Sequence, residues 1–290
     1  MPESIISSWV EEEENPLSRK FREAVHTILY AIAHSQEIST HMIMKGAILL
    51  AIRYHCMRHT KDIDFSTGST VQEFNEEQFI SDFSEGLIMA TEALDYGLDC
   101  RIQSWKFKPP SSEATFPTMK MKIGYAYKHD AKSYKRLLAQ NCSQVVEIDY
   151  SFNEATYSTE EIDLAKGGVL LAYGFTDLVA EKIRAILQQP QRNRIRRQDI
   201  YDLYSLFHRH QLITNDEKRK ILDSLVKKAT ARKVDVNQDS MKDPEVIRRS
   251  QKEYHTLQAD IIDDLPDFDE AYRYVQSFYE SLPWDEAAPV

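Results

Sequence analysis

Two aspartates, Asp62 and Asp64, separated by one residue in the segment from Lys61 to Phe65, constrain this chain more than any other feature. The segment has the pattern of a strand, in which successive side chains point to opposite faces. Both carboxylates therefore project from the same face of a sheet, close enough to share a divalent metal ion. The pattern predicts a strand that carries chemistry.

A segment that begins with glycine precedes this strand. Gly46 opens an apolar stretch that ends at Ile52, which is typical of the first turns of a helix. A glycine there lets a phosphate approach backbone N–H groups whose dipole favours negative charge. Arg58 and Lys61 add positive charge beside the carboxylates. Together these features predict a site for a nucleoside triphosphate that Mg²⁺ bridges to the protein.

A second acidic pair lies in residues 143–152, where apolar and polar residues alternate and Glu147 shares a strand face with Asp149. If this strand pairs beside Asp62 and Asp64, Asp149 becomes a third carboxylate, suited to act as a metal ligand or a base. The alternative is an exposed acidic pair on an edge strand.

Two further candidates lie in predicted helices. Lys182 falls within the apolar stripe of residues 176–189, so it either extends outward along its stem or reaches a polar partner such as a triphosphate. Asp199 follows Arg196 by three residues. That pair is either a surface ion pair or part of a site whose carboxylate activates an acceptor hydroxyl.

The order of elements predicts an α+β fold, with a mixed-sheet domain over residues 1–160 and a helical domain over residues 161–290. The predicted helices span residues 17–38, 46–55, 76–94, 176–189, 198–210, 216–233 and 269–281. The predicted strands span residues 61–65, 98–106, 118–127 and 143–152.

Composition narrows the class of protein. The apolar runs are too short to span a bilayer, and no signal peptide is evident at the N-terminus. Three scattered cysteines argue against a disulfide framework and a zinc site, so we expect a cytoplasmic protein without membrane contact. The net charge of −10 disfavours nucleic acid as a whole, yet basic clusters at residues 182–197 and 218–233 are either RNA-binding patches or solvated helix faces.

Taken together, these residues resemble the AbiEii/AbiGii family of nucleotidyltransferase-like toxins, within the DNA polymerase β-like nucleotidyltransferase superfamily. The resemblance follows the chain from about residue 20 to 210 and rests on Lys45-Gly46-Ala47, Arg58-x-Thr60-x-Asp62-Ile63-Asp64, Ile148-Asp149-Tyr150-Ser151-Phe152, Ala180-Glu181-Lys182-Ile183-Arg184-Ala185 and Arg196-x-x-Asp199-Ile200-Tyr201-Asp202-Leu203. Two residues depart from the family pattern: Ala47 stands where a second Gly or a Ser is usual, and Gln198 where Lys often precedes the aspartate.

The resemblance implies that Gly46 shapes the phosphate loop, that Asp62 and Asp64 bind metal, that Lys182 contacts nucleotide phosphates and that Asp199 completes the site from the helical domain. The strand pattern of residues 143–152 adds Asp149. The expected metal ligands are Asp62, Asp64 and Asp149, and the expected catalytic residues are these three with Lys182 and Asp199. The expected nucleotide-binding residues are Lys45, Gly46, Ala47, Arg58, Thr60, Lys182 and Arg196.

The resulting hypothesis is a Mg²⁺-dependent nucleotidyltransferase toxin of a toxin–antitoxin pair. It would transfer NMP from an NTP to an acceptor hydroxyl, with the tRNA 3′ end as the expected acceptor and a cognate antitoxin as a possible partner. Two alternatives stay open: transfer to a protein or small molecule, and a non-catalytic module that binds a nucleotide or a partner.

Overall fold

The structure of the chain, a computed structural model, describes residues 5–56, 58–110, 114–164, 168–210, 212–261 and 264–286. It divides into two compact units, the first of residues 1–53 and 61–172 and the second of residues 54–60 and 173–290. The backbone of the short segment 54–60 explains its place in the second unit. Arg58 forms a β-bridge with Ile261, and the His59 N–H donates to the Asp260 carbonyl oxygen at 2.6 Å.

The first unit combines helices with one sheet, and the last residues of α4 and β7 are counted with the second unit. Its helices are α1 (Ile5–Glu11), α2 (Pro16–Ala33), α3 (Gln36–Ser39), α4 (Gly46–Tyr54), α5 (Glu76–Ala93) and α6 (Ala131–Leu138). Its strands are β1 (Ile43–Lys45), β2 (Asp62–Ser66), β3 (Leu98–Lys108), β4 (Thr118–Tyr127), β5 (Val145–Ser151), β6 (Thr159–Asp163) and β7 (Val169–Tyr173). A 3-10 turn covers Val71–Glu73.

The seven strands form a single mixed sheet in the order β3-β4-β5-β2-β1-β7-β6. Strand β2 lies between β1, to which it is antiparallel, and β5, to which it is parallel. The β3–β4 and β4–β5 pairs are antiparallel, and β1 pairs with β7 in parallel. The predicted α+β class with a mixed sheet is therefore confirmed.

The two faces of this sheet differ in character. On one face Ile63, Phe65 and Ile148 are fully buried, and Tyr150 stacks on Phe79 of α5 at a ring-centroid distance of 5.8 Å. Helix α2 also packs on the sheet, against β3 and β5. Each such apolar side chain contributes roughly 1.5–3 kcal/mol by leaving water. Because side chains alternate along strands, the polar residues of β2, β4 and β5 lie on the opposite face of the sheet, which we call the polar face.

The second unit is helical. Its helices are α7 (Phe175–Leu187), α8 (Gln189–Arg192), α9 (Arg197–Arg209), α10 (Asn215–Ala231), α11 (Pro244–Gln251) and α12 (Phe268–Glu280), with 3-10 turns at Ser240–Lys242, Tyr254–Asp260 and Trp284–Glu286. Helix α7 packs against α10, where buried Lys228 pairs with Asp177 at 3.1 Å. Helix α9 packs against α12.

Each predicted helix and strand has a counterpart whose bounds agree to within five residues. The pattern missed several shorter elements, among them β1, α6, β6 and β7. The sheet thus continues past residue 160, where the sequence pattern places the change to a helical domain, and the compact units divide after residue 172 instead. None of the helices in the described ranges combines the length and the apolar character needed to cross a bilayer.

Candidate active site

One residue from each of five neighbouring strands lines up across the polar face of the first unit. In strand order these are Lys106, Lys120, Asp149, Asp64 and Lys45, each the register partner of the next. Neighbouring strands lie about 4.8 Å apart, so adjacent side chains in this row are within reach of one another. The structure therefore brings Asp149 beside Asp64, as the sequence predicted on condition that the two strands pair.

A second row runs parallel to the first, one step along the strands. Asp62 is the register partner of Glu147, which in turn is the partner of Lys122. Asp62 and Glu147 are both exposed. Three aspartates and a glutamate thus share the polar face at the centre of the sheet, with lysines at its β4 side.

The turn from β1 into α4 shapes the surroundings of Asp64. Gly46 has a φ of +78°, a left-handed conformation that favours glycine. A Cβ built on Gly46 would overlap the Asp64 carboxylate. The carboxylate thus lies in the space left by the missing side chain, directly against the backbone that opens α4.

Lys120 and Lys45 each hold a carboxylate closely in this part of the sheet. Lys120 Nζ lies 2.6 Å and 2.8 Å from the two carboxylate oxygens of Asp149. Lys45 Nζ lies 2.6 Å from Glu154 Oε2, and both of these side chains are largely buried. Lys45, predicted to contact nucleotide, therefore has an acidic partner within its own unit.

The second unit holds a separate cluster of four charged side chains, which we call the buried charge network: Arg58, Lys182, Asp199 and Asp202. Lys182 Nζ lies 3.0 Å from Asp199 and 2.7 Å from Asp202. Arg58 reaches the same Asp202 with Nε at 3.0 Å and with a second guanidinium nitrogen at 3.3 Å. Asp202, whose side chain is only 1% exposed, thus joins both cations.

The electrostatics of this network are mutually reinforcing. Burial alone would raise the pKa of Asp202, but the charges of Lys182 and Arg58 outweigh it and hold that pKa below the ordinary value. Burial likewise opposes the charged form of both cations. The aspartates nevertheless raise the pKa of Lys182, and Asp202 above all raises that of Arg58. All three groups therefore stay charged at neutral pH.

Asp199 is only partly satisfied within the described part of the chain. Its Oδ1 accepts from Lys182, whereas its buried Oδ2 makes no hydrogen bond there. The guanidinium of Arg196 lies 3.9 Å from Oδ2, which is an ion pair without a hydrogen bond. The predicted i, i+3 contact between Arg196 and Asp199 is thus present, and the Asp199 carboxylate is buried.

The remaining predicted residues flank these two clusters. Ala47 is buried in the first turn of α4, and Thr60 is half-buried in the segment that precedes β2. Across the described ranges, no group of three His, Cys, Asp or Glu side chains is arranged to hold a metal ion. The roles of all these residues in metal and nucleotide binding stay predictions.

Three structurally important residues were not among the predicted site residues. Asp202 lies one helical turn after Asp199, so the i, i+3 spacing on α9 could have indicated it. Lys120 alternates with buried methionines in β4, a pattern that places it on a polar face. Glu154 lies beyond the end of β5, where no local signal points to Lys45.

Comparison with known proteins gives a family and a fold. The family model of the AbiEii nucleotidyl transferase toxin of type IV toxin–antitoxin systems matches residues 27–274. The solved structure of MenT4, a nucleotidyltransferase toxin from Mycobacterium tuberculosis H37Rv, is similar with a TM-score of 0.56 and 12% identity, over 97% of this chain and 90% of that chain. JHP933 from Helicobacter pylori is similar with a TM-score of 0.50 and 13% identity, over 93% of each chain. Among curated protein sequences there is no match.

We expect Gly46→Ala to lower both stability and activity. A left-handed backbone is strained by about 1–3 kcal/mol for a residue with a side chain, and the new methyl group would displace the Asp64 carboxylate. Thermal melting and a nucleotide-transfer assay measure the two effects. Gly68→Ala is the matched control, because a Cβ at Gly68 meets no atom within 4 Å. Equal behaviour of the two variants would contradict the role assigned to Gly46.

We expect Asp202→Asn to lower the free energy of unfolding at neutral pH by about 3–5 kcal/mol, because it leaves two buried cations short of an anionic partner. The depressed pKa gives the effect a pH dependence. The contribution of Asp202 is present above its ordinary pKa of 3.8 and is lost as the pH falls through the lower folded-state value. The parent should therefore lose stability more steeply than the variant below about pH 4.

Urea denaturation at several pH values tests this expectation. The matched control is Asp216→Asn, since Asp216 is exposed on α10 and pairs with the equally exposed Lys220 in an i, i+4 contact. A parent and an Asp202→Asn variant of equal stability at pH 7 would show that the network contributes nothing.

Proposed function

The chain belongs to the AbiEii family of nucleotidyltransferase toxins, and on that premise we propose that it transfers a nucleoside monophosphate from an NTP to the 3′ end of tRNA in a Mg²⁺-dependent reaction. As a member of a toxin–antitoxin family, it has an NTP as substrate and a cognate antitoxin as the implied partner. A reaction on tRNA would take place in the cytoplasm.

The observation that carries this proposal is that Asp62, Asp64 and Asp149 share the polar face, through the in-register pairing of β2 with β5. Carboxylate oxygens are the ligands that Mg²⁺ prefers, and proteins commonly hold it with one or two carboxylates plus the phosphates of the substrate. Asp62 and Asp64, side by side on one strand, fit that requirement. Bound Mg²⁺ would neutralise the phosphate charge and polarise the phosphorus centre.

The residues of the first unit then have distinct tasks. Asp64 is positioned by the β1–α4 turn, and Lys45, Gly46 and Ala47 are proposed to contact the nucleotide, as is Thr60 of the second unit. The acceptor hydroxyl oxygen forms a bond to the α-phosphorus, the bond to the leaving pyrophosphate breaks, and the hydroxyl proton moves to a carboxylate.

Asp149 is the proposed acceptor of that proton, or a third metal ligand. Both of its carboxylate oxygens accept hydrogen bonds from Lys120. In either role, the Asp149 carboxylate would have to give up its contact with Lys120.

In the second unit, Lys182, Arg58 and Arg196 are proposed to neutralise nucleotide phosphates, and Asp199 to act as an orienting carboxylate. The structure supports a positioning role for Asp202, because this one side chain binds both Lys182 and Arg58. A buried carboxylate between two cations limits the rotamers that each cation can adopt.

We expect Asp62→Ala to reduce NMP transfer by at least about 100-fold, since the loss of a direct metal ligand should exceed the 10–100-fold effect of losing an outer-shell partner. Asp62 is exposed at the start of β2, so this variant should keep the fold. Labelling of an RNA pool with radiolabelled NTP measures the transfer. Asp95→Asn, at an exposed position after α5, is the control. If Asp62→Ala labels as well as the parent, the metal assignment is wrong.

The protein is incubated with radiolabelled NTP in three separate reactions, which contain tRNA, protein extract or small-molecule acceptors. We expect label to be transferred only in the reaction with tRNA. Sequencing of tRNA 3′ ends after expression of the protein should show added nucleotides, and the Asp62→Ala variant should show none. Label found only in protein or in a small molecule would identify a different acceptor. NTP binding by calorimetry, with no pyrophosphate released for any acceptor, would identify a non-catalytic module.

A further inference from the structure

We propose that four lysines on the polar face, Lys106 and Lys108 of β3 with Lys120 and Lys122 of β4, bind the phosphate backbone of the nucleic-acid acceptor and direct its 3′ end toward the aspartates of β2 and β5. We call these four residues the lysine row. The inference rests on the proposed transfer to a nucleic acid and names the surface that recognises it.

The register of the sheet places the lysine row next to the acidic centre. Lys106 is the partner of Lys120, which is the partner of Asp149, which is the partner of Asp64. Three strand spacings of about 4.8 Å separate Lys106 from Asp64, a distance of roughly 14 Å. Positively charged side chains thus extend from the edge strand β3 across β4 to the carboxylates.

A β-bulge is what directs the β3 lysines to this face. Ile102 pairs with Ile123, but the next pair is Ser104 with Lys122, so Gln103 is the extra residue. Before the bulge the even-numbered residues of β3, such as Cys100, face the buried side; after it they share the face of Lys120 and Lys122. A one-residue shift reverses every subsequent side chain. Without the bulge, Lys106 and Lys108 would instead lie on the face of Trp105 and Phe107, away from the carboxylates.

Three charges of the lysine row, those of Lys106, Lys108 and Lys122, are available to a ligand, whereas Lys120 is held by Asp149. Lys106 and Lys108 are exposed, and in the described ranges neither side chain makes a hydrogen bond or an ion pair. Lys122 and Glu147, 3.4 Å apart, are both about half exposed, so solvent screens their contact. Two lysines on one strand face repeat every ~6.8 Å, which presents separate point charges along a line.

The chemistry of this face favours a nucleic-acid strand over an acidic protein. Protein partners need a buried apolar or aromatic centre, whereas phosphate contacts alone can supply most of the affinity for nucleic acid. The large apolar residues of the outer part of β3 lie on the other face, where Phe107 packs against Phe152 and Trp105 donates to Glu76. On the polar face the lysines alternate with Ser104 and Thr118 across the strands. We therefore expect backbone binding without sequence preference.

The test measures tRNA binding by the full-length chain as a function of salt concentration, without NTP. Each lost phosphate contact makes the slope of log K against log[salt] shallower by about 0.7 for a single strand. The double variant Lys106→Gln/Lys108→Gln should therefore shift the slope by about 1.4 and raise the tRNA KM of the transfer reaction. Thermal melting of the variant should match the parent, because both positions are exposed.

The control carries the same change of net charge elsewhere: Lys242→Gln/Lys252→Gln, two exposed positions in the second unit that lie outside both basic clusters. Its salt slope should equal that of the parent. An unchanged slope for the β3 variant, an equal shift for the control, or equally tight binding of polyglutamate would overturn the proposal. The binding measurement does not depend on turnover. Failure of tRNA labelling would thus count against the proposed function, whereas the slope alone decides the role of the lysine row.

Discussion

The structure depends on the in-register pairing of β2 with its two neighbours. Ile63 and Phe65 are fully buried, and their burial determines which face of the sheet receives Asp62 and Asp64. A slip of one residue would place both carboxylates in the apolar core, where an unpaired charge is strongly unfavourable. Hydrophobic packing on one side of the strand therefore determines the chemistry on the other.

The second unit uses a different device. Its buried charge network places two cations and two carboxylates among helices and draws Arg58, from a short excursion of the chain, into contact with α9. Buried ion pairs are poor sources of net stability, because desolvation offsets much of the Coulomb gain. Their clearer physical consequence is geometric: Arg58 and Lys182 are each held in a defined position by Asp202. The network therefore fixes the orientation of two positive charges, which a flexible lysine or arginine on the surface could not hold in one position.

The distribution of charge matters more than its sum. A net charge of −10 argues against a polyanionic partner for the molecule as a whole. On the polar face, however, lysines of β3 and β4 adjoin carboxylates of β5 and β2 in one continuous row. Such a row can attract phosphate at its β3 edge and, in the proposed reaction, a divalent cation at its central carboxylates. The lysines would then neutralise phosphates of the acceptor, and the carboxylates would neutralise the metal ion.

The sequence by itself determined the features that depend on near neighbours. The shared face of Asp62 and Asp64 follows from strand alternation, the α4 helix follows from the apolar run after Gly46, and the α+β class follows from the order of these patterns. Tertiary structure alone decided that β5 lies beside β2 and that Asp202 binds Lys182. Alternation and helical period are properties of adjacent residues. Strand partners and buried ion pairs instead join distant segments, whose pairing is selected by the burial of the whole core.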